Sequence, residues 1–197
     1  MTRTLVLASA SPARLRLLRD AGFDPSVVVS GVDESEVTAD EPRELVRELA
    51  RRKAAAVAAS RSDGLVVGCD SMLLLGGELL GKPADAEDAL ARWKRMRGQT
   101  GTLLTGQVVV DVESGRTACG GGATSVRFGT PSDEEIAAYV ASGEPLQVAG
   151  GFTLDGRSAP FIDGIDGDVG TVIGLSLPLL RTLLTELDVR LTDLWAP

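Results

Sequence analysis

The chain has 197 residues, 44% of them hydrophobic, and a formal charge of −8 at neutral pH with no histidine. That length and composition support one domain with a sizeable core, while the acidic balance disfavours sequence-independent binding to nucleic acid, which needs a basic face. Without imidazole, Ser-His-Asp and Cys-His catalysis and histidine-ligated zinc are excluded, which leaves carboxylates, lysines, arginines and a hard metal as the chemical tools.

The run entered from Met1 through Leu7 is too short for the apolar core of a signal peptide, and no apolar stretch approaches the ~18 residues of a membrane span. A soluble, cytoplasmic protein without a membrane partner is expected. Leu5–Ala8 reads as a first strand. Ser11 and Pro12 then supply the N-cap and first-turn signals of a helix that runs through Leu15, Leu17 and Leu18 and stops near Gly22. Val27–Val29 reads as a second strand that delivers Asp33 and Glu34 into a loop. A helix is predicted from Glu41 to about Ser60, because Leu45, Leu49, Lys53 and Val57 recur every four residues. Lys53 therefore points along the apolar stripe, while Arg43, Arg47 and Arg51 form a separate row that reads as a solvated face.

Leu65 to Leu75 reads as a strand pair or a bent strand turning at Gly76-Gly77, with the acid-alcohol pair Asp70-Ser71 ending its first apolar run. A helix follows from about Ala86 to Arg97. Leu103–Val112 and Cys119–Phe128 look like a long hairpin turning around Glu113-Ser114-Gly115. Ser132 and Glu135 form a capping box that opens a helix ending at Gly143. The Gly- and Asp-rich stretch 150–174 carries short strands at Phe161-Ile162 and Val169–Ile173, and a last helix spans about Leu177 to Leu187. Early strands alternate with helices and a hairpin comes later, so the expected fold class is α/β, a mixed twisted sheet flanked by helices. Cys69 and Cys119 lie in apolar surroundings without C-x-x-C spacing and are expected as buried free thiols.

Several of these segments carry chemistry. Strand, polar turn and helix at Ser9-Ala10-Ser11-Pro12-Ala13-Arg14 offer the parts of a phosphate cradle, helix N–H groups, two hydroxyls and a guanidinium, although such a pattern more often serves as a plain helix cap. An ammonium on an apolar stripe, as at Lys53, must snorkel or meet an anion. Asp70 at a strand end is placed to meet a ligand, and Lys53 and Lys82 nearby in sequence point to an anionic one.

These features, in this order, resemble the Maf family of nucleoside triphosphate pyrophosphatases. The resemblance runs from about Leu5 to Leu184. Its anchors are Leu7–Arg14, Val32-Asp33-Glu34, Leu49–Ala54, Gly68-Cys69-Asp70-Ser71, Gly81-Lys82-Pro83, Ser142–Pro145, Ala149-Gly150 and Val172–Leu175. The resemblance implies a single Maf-like domain over residues 1–197, with two lobes around a cleft and often a homodimer. It implies hydrolysis of nucleoside triphosphates to monophosphate and pyrophosphate, including house-cleaning of non-canonical nucleotides. Asp70 would be the catalytic acidic residue, and Glu34 with Asp70 would hold Mg²⁺ or Mn²⁺. Ser9, Ser11, Arg14, Lys53 and Lys82 would bind the phosphates. Ala13 stands where the family usually has arginine, Gly101 where a histidine is common, Gln147-Val148 where many members have Asp-Lys, and Asp155 where a glutamine is common. Two rivals follow from the residues. A phosphatase with an aspartyl intermediate needs a second acid two residues after Asp70, where Met72 stands. A nucleotide-binding regulator without significant catalysis, for which the resemblance implies a place in cell division, would need only the binding residues.

Overall fold

The computed structural model describes residues 3–196; Met1 and Thr2, at the head of the first apolar run, lie outside them, as does Pro197. Among the described residues, seven strands form one mixed sheet. They are β1 (Leu5–Leu7), β2 (Ser26–Val27), β3 (Leu65–Leu75), β4 (Glu78–Leu80), β5 (Thr100–Asp111), β6 (Thr117–Phe128) and β7 (Ile162–Asp166). The order is β2-β1-β3-β5-β6-β7, with β4 paired to β3. β1 is parallel to both β2 and β3, with Val6 opposite Ser26 and Val66. β3 with β4 and β6 with β7 are antiparallel, so the expected mixed sheet is present. The chain resolves into two compact units, Met1–Asp70 with Thr105–Gly122 and Gly174–Pro197, and Ser71–Leu104 with Ala123–Ile173.

In the first unit, side-chain alternation along the strands builds a core on each face of the sheet. Val6, Ala8, Val66 and Val108 meet Ala50, Ala54 and Val57 of helix α2 (Pro42–Ala58). Leu5, Leu7, Leu65, Val67, Cys69 and Val109 meet Leu18 of helix α1 (Pro12–Asp20) and a group of leucines, Leu180, Leu183 and Leu184, close to the C-terminus. Helix α2 sits unusually close to the sheet because two strand residues lack side chains. A Cβ on Gly68 would stand 2.3 Å from the Ala50 carbonyl oxygen, and one on Gly106 would stand 2.1 Å from that of Val46. Only glycine permits this approach.

The second unit has its own core of Leu73, Leu103, Val126 and Phe128 from strands and Trp93 and Met96 from helix α3 (Ala86–Met96). Ile136 and Tyr139 come from helix α4 (Asp133–Ala141), whose capping box at Ser132 and Glu135 is formed as expected. Trp93 meets Phe128, Tyr139 and Phe161 edge to face and donates its indole N–H to the Gly151 carbonyl at 2.8 Å.

Four expectations are corrected. Val169–Ile173 is not a strand but a short helix, α5. Asp168 caps it, accepting from the Thr171 amide at 2.8 Å and hydroxyl at 3.0 Å. A short run of β-branched residues does not distinguish strand from buried helix, and the capping aspartate decided it. The second strand is Ser26–Val27 rather than Val27–Val29, since Val29 is largely exposed and only Val28 extends the pairing, through its N–H to Leu7. Cys119 is exposed, because on β6 Ala118 takes the inward position and its neighbour turns out. Cys69 is a buried free thiol as expected, its pKa pushed up to about 11 by burial. Asp70 lies inside β3 rather than at its end, because Leu73–Leu75 continue the strand by pairing with β4. It stands three residues beyond Val67, where pairing with β1 stops, so it meets the open end of the parallel segment all the same. The last helix, α6, is Leu177–Glu186. No helix of the described residues is long and apolar enough to cross a membrane.

Candidate active site

Helix α2, strand β3 and the 3₁₀ turn Glu34–Glu36 bring together three of the predicted residues. Val66, Gly68 and Asp70 share the face of β3 that meets α2, and Lys53 lies on the buried stripe of that helix, beside Ala50 and Ala54. The close seat provided by Gly68 sets the lysine against the aspartate. Lys53 Nζ stands 2.5 Å from Asp70 Oδ1 and 2.7 Å from Glu34 Oε1. Lys53 and Asp70 are buried, whereas the Glu34 side chain is about half exposed at 54%. Glu34 opens a short 3₁₀ turn whose cap is Asp33, its carboxylate accepting from the Ser35 amide and hydroxyl.

Asp70 Oδ2 is buried and has no hydrogen-bond partner among the described residues. Burial raises the Asp70 pKa above the ordinary aspartate value. Lys53 and Arg14 pull it back only in part. A carboxylate with one oxygen on an ammonium and the other unpartnered is poised to accept a proton or to bind a cation.

Ser9, Ser11 and Arg14 form a second cluster, and in it the cap reading of the turn is what the contacts display. Ser11 Oγ accepts from the Arg14 amide at 3.4 Å and caps α1. Ser9 Oγ accepts from the Ser11 amide at 3.2 Å and from Arg14 Nη1 at 3.0 Å. The Arg14 guanidinium also donates to the Cys69 carbonyl at 3.0 Å and, through Nε, to the Gly174 carbonyl at 2.8 Å. It is thus fixed against the backbone of the residue preceding Asp70. Lys82 is exposed in the turn after β4 and belongs to the second unit. Of the departures from the family pattern, Ala13 lies in the first turn of α1 and Gln147 ends a 3₁₀ turn. Asp155 is exposed and accepts from the Thr153 hydroxyl.

Sequence reasoning passed over two residues of β5. Gly106 seats α2, and its signal was a lone glycine inside an apolar strand pattern, which marks a close backbone approach. Gln107 is fully buried beside it, and its signal was a primary amide in the run Leu103–Val112.

The chain matches the family model described as Maf-like protein over residues 4–187. It is 66% identical to the nucleoside triphosphate pyrophosphatase of Streptomyces coelicolor over 197 residues, covering 99% of this chain and 96% of that protein. The protein of the same name from Streptomyces avermitilis is 64% identical with the same coverage. A third, from Salinispora tropica, is 56% identical over 98% of this chain and 87% of its own length. A match over nearly the whole chain, including the strand that carries Asp70 and the helix that carries Lys53, makes this protein a member of the Maf family.

Proposed function

We propose that this protein hydrolyses nucleoside triphosphates to the monophosphate and pyrophosphate, with Asp70 as the base. The observation that carries this reading is the buried Asp70 carboxylate, held by Lys53 on one oxygen and unpartnered on the other. The names of the relatives support the substrate class.

In this reading Asp70 orients a water and takes its proton as the water oxygen bonds to the α-phosphorus. The bond from that phosphorus to the bridging oxygen breaks, and pyrophosphate leaves with the electron pair. Arg14, pre-oriented by backbone carbonyls, and Lys53 and Lys82 neutralise the phosphates, with the Ser9 and Ser11 hydroxyls at the helix start. The raised pKa of Asp70 makes it a stronger base than a solvated aspartate, which suits proton abstraction near neutral pH. The residues fit a divalent cation. Asp70 offers an unpartnered buried oxygen and Glu34 a half-exposed carboxylate, both hard donors of the kind Mg²⁺ and Mn²⁺ take. When bound, such a cation would supply charge neutralisation at the phosphates. Among the described residues no group of three or more acidic, cysteine or histidine side chains is assembled, so the phosphates and water would complete the shell. A cytoplasmic homodimer belongs to the same reading, and sedimentation velocity tests the dimer.

Pyrophosphate release from a panel of canonical and modified triphosphates, with Mg²⁺, Mn²⁺ or EDTA, tests the whole proposal and reads the base preference. Metal-dependent release is expected, and Asp70→Asn should lower turnover at least ~100-fold without loss of the folded state. Substantial turnover by Asp70→Asn would remove that residue from its role. Silence of the folded wild-type protein across the panel would overturn the reaction.

A further inference from the structure

Gln107 is fully buried in β5, and only half of its amide is satisfied. Its Oε1 accepts from the Ser176 amide at 3.0 Å, while its Nε2 has no partner among the described residues. A methionine would fill similar space without stranding a donor, so the amide is kept at a cost in stability. What it holds is informative. Ser176 caps α6, accepting from the Leu179 amide at 3.2 Å, and the preceding Leu175 is fully buried. One residue before that, Gly174 has φ 115°, and its carbonyl accepts from Arg14 Nε. Arg14 Nη1 in turn reaches Ser9 Oγ and the Cys69 carbonyl. A continuous path of hydrogen bonds and short backbone therefore runs from Gln107 through Ser176 and Gly174 to the guanidinium beside Asp70.

We propose that Gln107 is a positioning residue for the triphosphate site: it fixes Ser176, and so the Gly174 carbonyl that aims Arg14. The proposal rests on the reading of Arg14 as a phosphate contact and deepens it. A guanidinium held in one orientation loses less freedom when it meets a phosphate, so the effect of Gln107 is felt in anion affinity and only through Arg14.

A double-mutant cycle read by calorimetry with inorganic tripolyphosphate tests this, with thermal unfolding as the check on folding. Gln107→Met should weaken binding about fivefold in the presence of Arg14 and less than about twofold in the Arg14→Ala background. Gln107→Glu, which keeps an acceptor at the same reach, should restore most of the affinity. Equal weakening in both backgrounds, or none in either, overturns the proposal, as does failure of the wild-type protein to bind tripolyphosphate. Should Gln107→Met not fold, Gln107→Asn, too short to reach Ser176, is held to the same criteria. The cycle does not use turnover. Coupling without pyrophosphate release would therefore sink the reaction and keep the positioning role, and release without coupling would do the reverse.

Discussion

Helix α2 carries two acid-base clusters that differ in what they do to their carboxylates. On its exposed side, Glu48 meets Arg51 at 2.7 Å and Arg52 at 2.8 Å. On its buried side, Lys53 meets Asp70 at 2.5 Å. The separations are alike, yet the two arginines pull the Glu48 pKa down to about 2 while Asp70 is raised despite its lysine. Distance does not decide the sign; desolvation does. Glu48 stays hydrated and its partners act on it almost unopposed, whereas the ion pair at Asp70 returns only part of what burial takes away. The first cluster is therefore a surface brace for the helix, and the second keeps a buried carboxylate with a raised pKa beside its lysine.

Lys53→Met should break this comparison most severely. It leaves the buried Asp70 carboxylate without its cation, at a cost of ~3–5 kcal/mol in denaturant unfolding near neutral pH if the group stays ionised. Burial then acts on Asp70 with less opposition, so its pKa rises further. With Asp70 as the proposed base, turnover would need its ionised form, and the acid limb of kcat/KM should move to higher pH than in the wild-type protein. A limb that stays in place would show that Asp70 is not the titrating base.

Gly106→Ala should sharpen the comparison at a smaller cost. The new Cβ meets the Val46 carbonyl at 2.1 Å and pushes α2 off the sheet, destabilising the protein by ~1–3 kcal/mol. Water then reaches Asp70, and its acid limb should shift back toward ordinary aspartate values, opposite in sign to the shift from Lys53→Met. An unchanged stability would mean that the close seat of the helix is not what the glycine provides.

Glu48→Gln should have the smallest effect, less than ~1 kcal/mol, because solvent screens exposed pairs. Its sign is nonetheless defined. The folded pKa lies below the ordinary 4.5, so the pair contributes stability above about pH 4.5 and loses it as pH falls toward about 2. The gap between wild-type and variant unfolding curves should close over that window, and turnover should not change.

Much of this was legible in the residues. Helix α1 was read from Ser11 and Pro12, α4 from its capping box, and α2 from apolar spacing, because these signals act within a few residues of each other. The same spacing placed Lys53 on the buried stripe, and a carboxylate closing an apolar run marked Asp70 as placed to meet a ligand. Val169–Ile173 was misread because its composition suits either a strand or a short helix, and Asp168 acts only once the turn is formed. Cys119 was misplaced because a glycine-rich strand carries little alternation to show which face is buried.

The sequence by itself determined the mixed α/β class, most element boundaries and the absence of imidazole chemistry, and it singled out Asp70, Lys53 and Lys82 as candidate site residues. Those properties follow from side-chain type and short-range periodicity. Only the tertiary structure decided that Lys53 and Glu34 converge on Asp70, that Arg14 is aimed by the Gly174 carbonyl, and that Gln107 holds the segment behind it. Their partners lie tens to more than a hundred residues apart. Contacts at that range depend on the way strands and helix pack, through the bare backbone at Gly68 and Gly106, and no local pattern encodes them.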